Sequence, residues 1–135
     1  MRVTVLAVGR LRAPFLDDVA HYEKLLSRYV KLDVVEVDDS AKLEKRIPER
    51  AWVVLLDERG KARRSEELAG WLETRRASGR DVAFVLGGPY GVELSRTDET
   101  LSFGPMTLPF QLARVVLLEQ LYRAHKIHAG EPYHH

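Results

Sequence analysis

Hydrophobic residues recur along this chain in short β-like blocks separated by stretches of helical spacing. Residues 2–8 (RVTVLAV) form a β-rich run that ends at Gly9 and read as a buried strand. Pro14 introduces a helix through about Tyr29, with Phe15, Leu16, Val19, Tyr22, Leu25, Leu26 and Tyr29 at helical intervals. Residues 31–37 (KLDVVEV) predict a second strand. After it, Asp39 or Ser40 can cap a short polar helix that stops near Pro48. Residues 51–56 (AWVVLL) are almost continuously apolar, as a parallel strand covered on both faces should be. A charged loop over 57–64 follows. Ser65 then caps a helix with Glu66 and Glu67 in its first turn and Leu68, Trp71 and Leu72 facing inward, ending near Gly79. Residues 81–86 (DVAFVL) predict a fourth buried strand, 101–103 a short β-like piece, and Pro109 opens a last helix reaching about Ile127.

This alternation predicts an α/β fold, a mostly parallel sheet with helices on both faces, built as one domain over 1–135 without repeats or linkers. Length agrees: 135 residues with 45% apolar and 30% charged side chains support one ordinary core. No apolar run is long enough for a transmembrane helix, and Arg10 and Arg12 stand where a signal-peptide cleavage site would be needed. With no cysteine, disulfide and thiolate chemistry are excluded, and the expected compartment is the cytoplasm. A net charge of +1 places any nucleic-acid contact in local patches, not in a global field.

Several segments carry candidate chemistry. The turn Gly87-Gly88-Pro89-Tyr90-Gly91 follows a buried strand, where glycines let backbone approach a ligand; it is neither a dinucleotide fingerprint nor a P-loop. Phe103-Gly104-Pro105-Met106-Thr107-Leu108-Pro109 is a rigid, apolar, irregular connector whose amides and carbonyls can pair with an aromatic base; an ordinary loop is the plainer reading. The last helix is apolar around most of its circumference, which suggests burial on two sides and a homodimer interface. Glu119 and Arg123 on it have the i, i+4 spacing of a simple ion pair. His125 and His128 lack converging carboxylates, so no metal site is expected. Two basic clusters, Arg59/Lys61/Arg63/Arg64 and Arg75/Arg76/Arg80, read either as solvated charge or, doubled by symmetry, as an RNA groove.

These motifs, together with Leu56-Asp57-x-x-Gly60-Lys61, Gln111-Leu112-Ala113-Arg114-Val115, Glu119-Gln120-Leu121-Tyr122-Arg123-Ala124 and the ending Pro132-Tyr133-His134, resemble a known family along the whole chain. It is the bacterial large-subunit ribosomal RNA pseudouridine-N3 methyltransferases, minimal members of the knotted SPOUT class. The resemblance implies a C-terminal trefoil knot, a homodimer, and S-adenosylmethionine as methyl donor without a metal. It also implies methylation of a pseudouridine in helix 69 of 23S rRNA (position 1915) on assembled ribosomes, with no role for DNA or membranes. Carried over by motif, Leu56, Gly87, Phe103, Gly104, Pro105, Met106, Thr107 and Leu108 would bind the cofactor. His134 would act as base, with Arg123 and Tyr133 orienting the target and stabilising its anion. Two positions depart from the family pattern: Phe110 stands where histidine usually follows Thr-Leu-Pro, and His135 replaces a terminal Arg or Lys. The alternatives are a SPOUT enzyme with another rRNA or tRNA target, a non-catalytic ribosome-associated cofactor-binding module, and a flavodoxin-like nucleotide binder.

Overall fold

The computed structural model describes residues 1–88 and 91–133. Five strands, β1 (Arg2–Val8), β2 (Lys31–Val37), β3 (Trp52–Ala62), β4 (Val82–Leu86) and β5 (Glu99–Ser102), form one parallel sheet in the order β2-β1-β4-β3-β5. Three α-helices accompany them: α1 (Phe15–Leu26), α2 (Ser65–Ala77) and α3 (Phe110–His128).

Handedness decides which face each connection takes. The β1→β2 and β3→β4 steps move the same way across the sheet, so right-handed crossovers put α1 and α2 on one face. The β2→β3 and β4→β5 steps move the opposite way and run over the other face. Among the described residues, that second face receives two single-turn 3₁₀ helices, Ser40–Lys42 and Glu44–Arg46, and the irregular chain around Val92 and Leu94. Both faces are thus covered, but unequally. Alternation along the strands matches: Val3, Val5, Ala7, Val82 and Phe84 face the helices, while Leu6, Val53, Ala83 and Val85 face the 3₁₀ turns.

α3 lies over the helical face between α1 and α2, packed against both. Its Leu117, Leu118, Leu121 and Ala124 are fully buried, each leucine contributing about 1.5–3 kcal/mol by removal from water. This explains the circumferential apolarity of the helix: sheet below and a helix on either side bury it within one chain. The apolarity by itself therefore does not require a second subunit.

Several local expectations shift. α1 ends at Leu26, not Tyr29, because the Tyr29 and Val30 amides bond back to the Leu26 carbonyl and turn the chain into β2. Asp39 does cap the first 3₁₀ turn, accepting from the Ala41 amide at 3.0 Å. Ser65 is the first helical residue, not the cap; Arg64 holds the cap position, its amide donating to Glu67 Oε1 at 3.1 Å. The Ser65 hydroxyl instead bonds Gln120 Oε1 on α3 at 2.6 Å. β3 does not stop at Leu56. Its register on β5 jumps between Leu56 and Lys61, so the charged residues 57–60 form a bulge and the strand resumes through Ala62.

α3 is anchored by one buried cation. Arg114, 1% exposed, bonds the Glu36 carboxylate at the end of β2 and donates to the Gly9 carbonyl at 3.1 Å beyond β1. The same Glu36 oxygen accepts the Leu11 amide at 3.0 Å. Arg114→Leu should lower unfolding free energy by about 3 kcal/mol, at the lower end for breaking a buried ion pair because Glu36 remains partly hydrated. Urea denaturation measures it, and a loss under about 1 kcal/mol would contradict the anchoring role.

Near the other end of α3, His125 is buried beside Tyr29, with Nδ1 2.7 Å from the Leu121 carbonyl oxygen. Burial lowers its pKa, so the folded protein binds this proton less readily than the unfolded chain, whose histidine titrates near pH 6.5. Stability from this site is therefore full above about pH 6.5 and falls as pH drops below it. Comparing urea midpoints at acid and neutral pH, His125→Gln should lose less stability on acidification than the parent; an equal loss would acquit His125.

Candidate active site

The connections leaving β1 and β4 diverge, the first toward β2 and the second toward β5, so a crevice opens beyond their carboxyl ends. A cleft of about 830 Å³ occupies the ends of β3, β4 and β5. Leu56, Gly87, Phe103, Gly104, Met106, Thr107 and Leu108 line it, three chain segments brought together as the sequence reading expected. Pro105 belongs to the same connector but is not among the lining residues.

Each wall has a local cause. The β3 bulge projects Asp57, Glu58 and Arg59 to the cleft. Gly60 lets the bulge fold tightly against β5, since a Cβ there would lie 2.9 Å from the Thr100 backbone. The connector 103–109 is stapled to that bulge: Thr107 Oγ1 donates to Glu58 Oε2 at 2.5 Å, and the Ser102 hydroxyl bonds the Glu58 carbonyl at 3.0 Å while accepting the Gly104 amide at 2.9 Å. Gly104, at φ +117°, makes a turn that a side chain would strain. On the third wall Gly87 passes so close to Gly91 that an added Cβ would sit 2.8 Å from its carbonyl carbon. The Gly91 amide closes the turn on the Gly88 carbonyl at 2.9 Å; Pro89 and Tyr90 lie outside the described residues.

The chemistry of the cleft is apolar walls with an acidic lip. Among the described residues, Asp57, Glu58 and Glu93 line it alongside a single cationic residue, Arg59. Hydrogen bonds from the Arg59 side chain and amide hold the Asp57 carboxyl below the usual range, so it stays ionised. Such a lining suits a ligand with an aromatic base and a positive charge, and disfavours a triphosphate. Phe110, at the position of the missing histidine, places its ring edge about 3.4 Å from where a Cβ on Gly9 would stand, closing the β1 end of the cleft with hydrocarbon.

Arg123 and Tyr133 are brought together, but elsewhere. The guanidinium lies 4.1 Å from the Tyr133 ring centroid and 3.2 Å from Glu119 Oε2, and the Tyr133 hydroxyl donates to that oxygen at 2.5 Å. Burial first, and the Glu119 bond second, push the Tyr133 phenol above its ordinary pKa, so it is a donor and not a base. Glu119 is thus more than the helix ion pair its spacing predicted, because it also ties the C-terminal tail to α3. At 1.5 Å per residue, Arg123 stands about 15 Å along α3 from Ala113 at the cleft. His134 lies outside the described residues.

The two basic clusters are mostly engaged. Arg63 pairs with Glu99 at 3.0 Å, whose other oxygen accepts the Trp52 and Trp71 indole N–H groups. Arg75 stacks on both indoles, Arg80 on Trp52, and Arg76 pairs with Glu73. Arg59 and Arg64 pair with Asp57 and Glu66. They read as structure, not as an RNA groove.

Comparison with known proteins agrees with this architecture. The sequence profile described as "Predicted SPOUT methyltransferase" matches residues 1–134. Proteins named ribosomal RNA large subunit methyltransferase H are 41% identical in Acetivibrio thermocellus, with 99% of each chain covered. The Rubrobacter xylanophilus protein of that name is 46% identical and the Pelotomaculum thermopropionicum one 43%, with 98% of each chain covered. Among solved structures, TrmJ from Z. mobilis ZM4 superposes on 98% of this chain and 72% of its own, with a TM-score of 0.52 at 13% identity, a likeness of fold. On the profile and these relatives together, this chain belongs to the SPOUT methyltransferase family.

Proposed function

We propose that this chain uses S-adenosylmethionine to methylate N3 of a pseudouridine in helix 69 of 23S rRNA, at position 1915, on assembled ribosomes in the cytoplasm. The observation that carries the reading is the cleft itself: Leu56, Gly87 and the 103–108 connector, far apart in sequence, meet beyond the carboxyl ends of β3, β4 and β5. The names of the relatives supply the RNA. The trefoil knot belongs to the same proposal. The chain leaves β4 over one face, returns as β5, and then crosses the carboxyl ends of the strands to enter α3 on the other face.

The residues present fit the methyl donor. Leu56, Phe103 and Leu108 offer apolar walls for an adenine, the 103–108 backbone offers amides and carbonyls to its edge, and the acidic lip complements a cation. When bound, the cofactor supplies a sulfonium-activated methyl group. The chain's own work is then to orient the target base, exclude water and remove the N3 proton. His134 is the proposed base, having an unperturbed pKa suited to neutral pH. Arg123 would stabilise the imide charge left on the ring, and the Tyr133 phenol, held protonated, would position the base as a donor.

The distance between the Arg123–Tyr133 group and the cleft points to a homodimer. Leu112 and Val116 are half-buried on α3 yet belong to neither core cluster, leaving an apolar ridge between the cleft and Arg123. If two α3 helices packed antiparallel about Val116, Arg123 of one protomer, seven residues on, would face Pro109 of the other, seven residues back. Each cleft would then be completed by the opposite subunit's tail.

Tritiated S-adenosylmethionine, offered with intact ribosomes lacking this methyl group and with free 23S rRNA, should label the ribosomes at pseudouridine N3 and leave free RNA nearly unlabelled. Cofactor binding without label on either would send the assignment to another RNA or to a binding role.

Gly87→Ala should weaken cofactor binding at least tenfold, because its methyl group meets backbone that cannot yield. Arg123→Ala should keep cofactor binding and lose methylation. Co-refolded mixtures of the two variants should regain activity that neither has alone. Absence of recovery would place Arg123 with its own subunit's cleft.

A further inference from the structure

Many cations of this protein are bonded internally, and among the exposed ones that are not, three share one cleft. Arg2 pairs with Asp33, Arg96 donates to the Pro48, Glu49 and Ala51 carbonyls, and Arg114 is buried. By contrast Arg10, Lys45 and Arg46 are all exposed, and among the described residues none has an acidic partner within ion-pair reach. All three line a cleft of about 580 Å³ beyond the ends of β1 and β2. The acids of that cleft are already committed: Glu36 to Arg114 and the Leu11 amide, Asp38 to Lys42 at 2.8 Å. Three uncompensated charges remain.

This cleft is continuous with the methyl-transfer site. A third cleft, about 360 Å³, shares Asp38 and Lys42 with the basic one and Gly88 and Gly91 with the cofactor cleft. Together they make one groove along the carboxyl edge of the sheet, from β2 across β1 and β4 to β3, about 14 Å at 4.8 Å per strand. Resting on the rRNA methyltransferase reading above, we propose that the β2–β1 end of this groove carries the phosphodiester backbone flanking the target nucleotide, with Arg10, Lys45 and Arg46 on its phosphates. The cations come from two separate segments, the loop after β1 and the second 3₁₀ turn, and so bracket a strand lying between them. An acidic protein surface is the less suited occupant, because a groove that runs on into the reaction cleft must admit the nucleic acid being modified.

Binding of the full-length protein to ribosomes, measured from about 50 to 200 mM salt, tests this. Lys45→Glu/Arg46→Glu should weaken binding about tenfold or more and reduce the slope of log K against log salt by roughly one to two. Arg10→Glu should act in the same direction. The control is Arg28→Glu/Lys31→Glu, two exposed residues near the start of β2 with the same change in net charge; it should lose much less. Affinity for S-adenosylmethionine should be unchanged in all, and Lys45→Gln/Arg46→Gln provides a milder pair should charge reversal impair folding. In methylation, KM should rise with kcat retained. Equal losses in the groove and control variants would overturn the proposal, as would wild-type binding with no salt dependence. Groove variants that weaken binding to ribosomes but not to protein-free rRNA would assign the site to an acidic protein and also overturn it. A wild-type protein that labels no ribosome, yet binds with the expected groove dependence, would sink the methylation reading and leave the groove standing.

Discussion

The fold turns on the buried guanidinium of Arg114. A helix at the end of the chain, entering from the edge strand β5, has to be fixed over strands laid down at the very start. Hydrocarbon contact gives α3 its adhesion but not its position along the groove between α1 and α2. Arg114 supplies that position by reaching the Gly9 carbonyl and the Glu36 carboxylate, at the ends of β1 and β2. Gln111, one turn earlier, repeats the link: Arg12 donates its amide to the Gln111 side-chain oxygen, and Gln111 Nε2 reaches the Arg10 carbonyl at 3.3 Å. A guanidinium with two partners on different strands specifies register in a way that leucines cannot.

That anchoring has a consequence for the site. With the start of α3 tied to β1, the connector from β5 must span the carboxyl ends of β3 and β4 to get there. It therefore roofs a cleft on the carboxyl edge of the strands, the edge on which open parallel sheets bind ligands. The staple between Thr107 and Glu58 closes the roof against the β3 bulge, and the glycine turn after β4 forms the opposite wall. A cleft made in this way needs no helix dipole and no phosphate loop, in keeping with a lining that is apolar and acidic.

Strand blocks, the three helices and the three segments that line the cleft were all legible in the sequence, because burial on both sheet faces leaves continuous apolar runs and glycine-rich turns mark their ends. The continuation of β3 was not. Residues 57–62 carry Asp57, Glu58, Arg59 and Lys61, which read as loop, and only pairing with a non-adjacent edge strand makes them β. The basic clusters misled in the opposite sense: Arg63, Arg75 and Arg80 look like a surface patch in sequence, yet Trp52, Trp71 and Glu99 absorb them, and aromatic stacking of this kind has no linear signature. Arg10 stands over thirty residues from the adjacent Lys45 and Arg46, so the three gave no cluster to notice until the fold put them on one cleft.

The apolar circumference of α3 is an insufficient premise for the homodimer that the sequence suggested. Sheet, α1 and α2 bury most of it, so its hydrophobicity does not call for a second chain. The proposed homodimer rests on narrower ground. Leu112 and Val116 remain outside both cores, and the Arg123–Tyr133–Glu119 group lies about 15 Å along α3 from the cleft. An antiparallel pairing about the ridge would remove both anomalies at once, covering the apolar stripe and carrying the cationic group to the neighbouring cleft. The basic groove would approach each such cleft from the β2 side, so that charge for the RNA backbone comes from one subunit while the groups acting on the base come from the other.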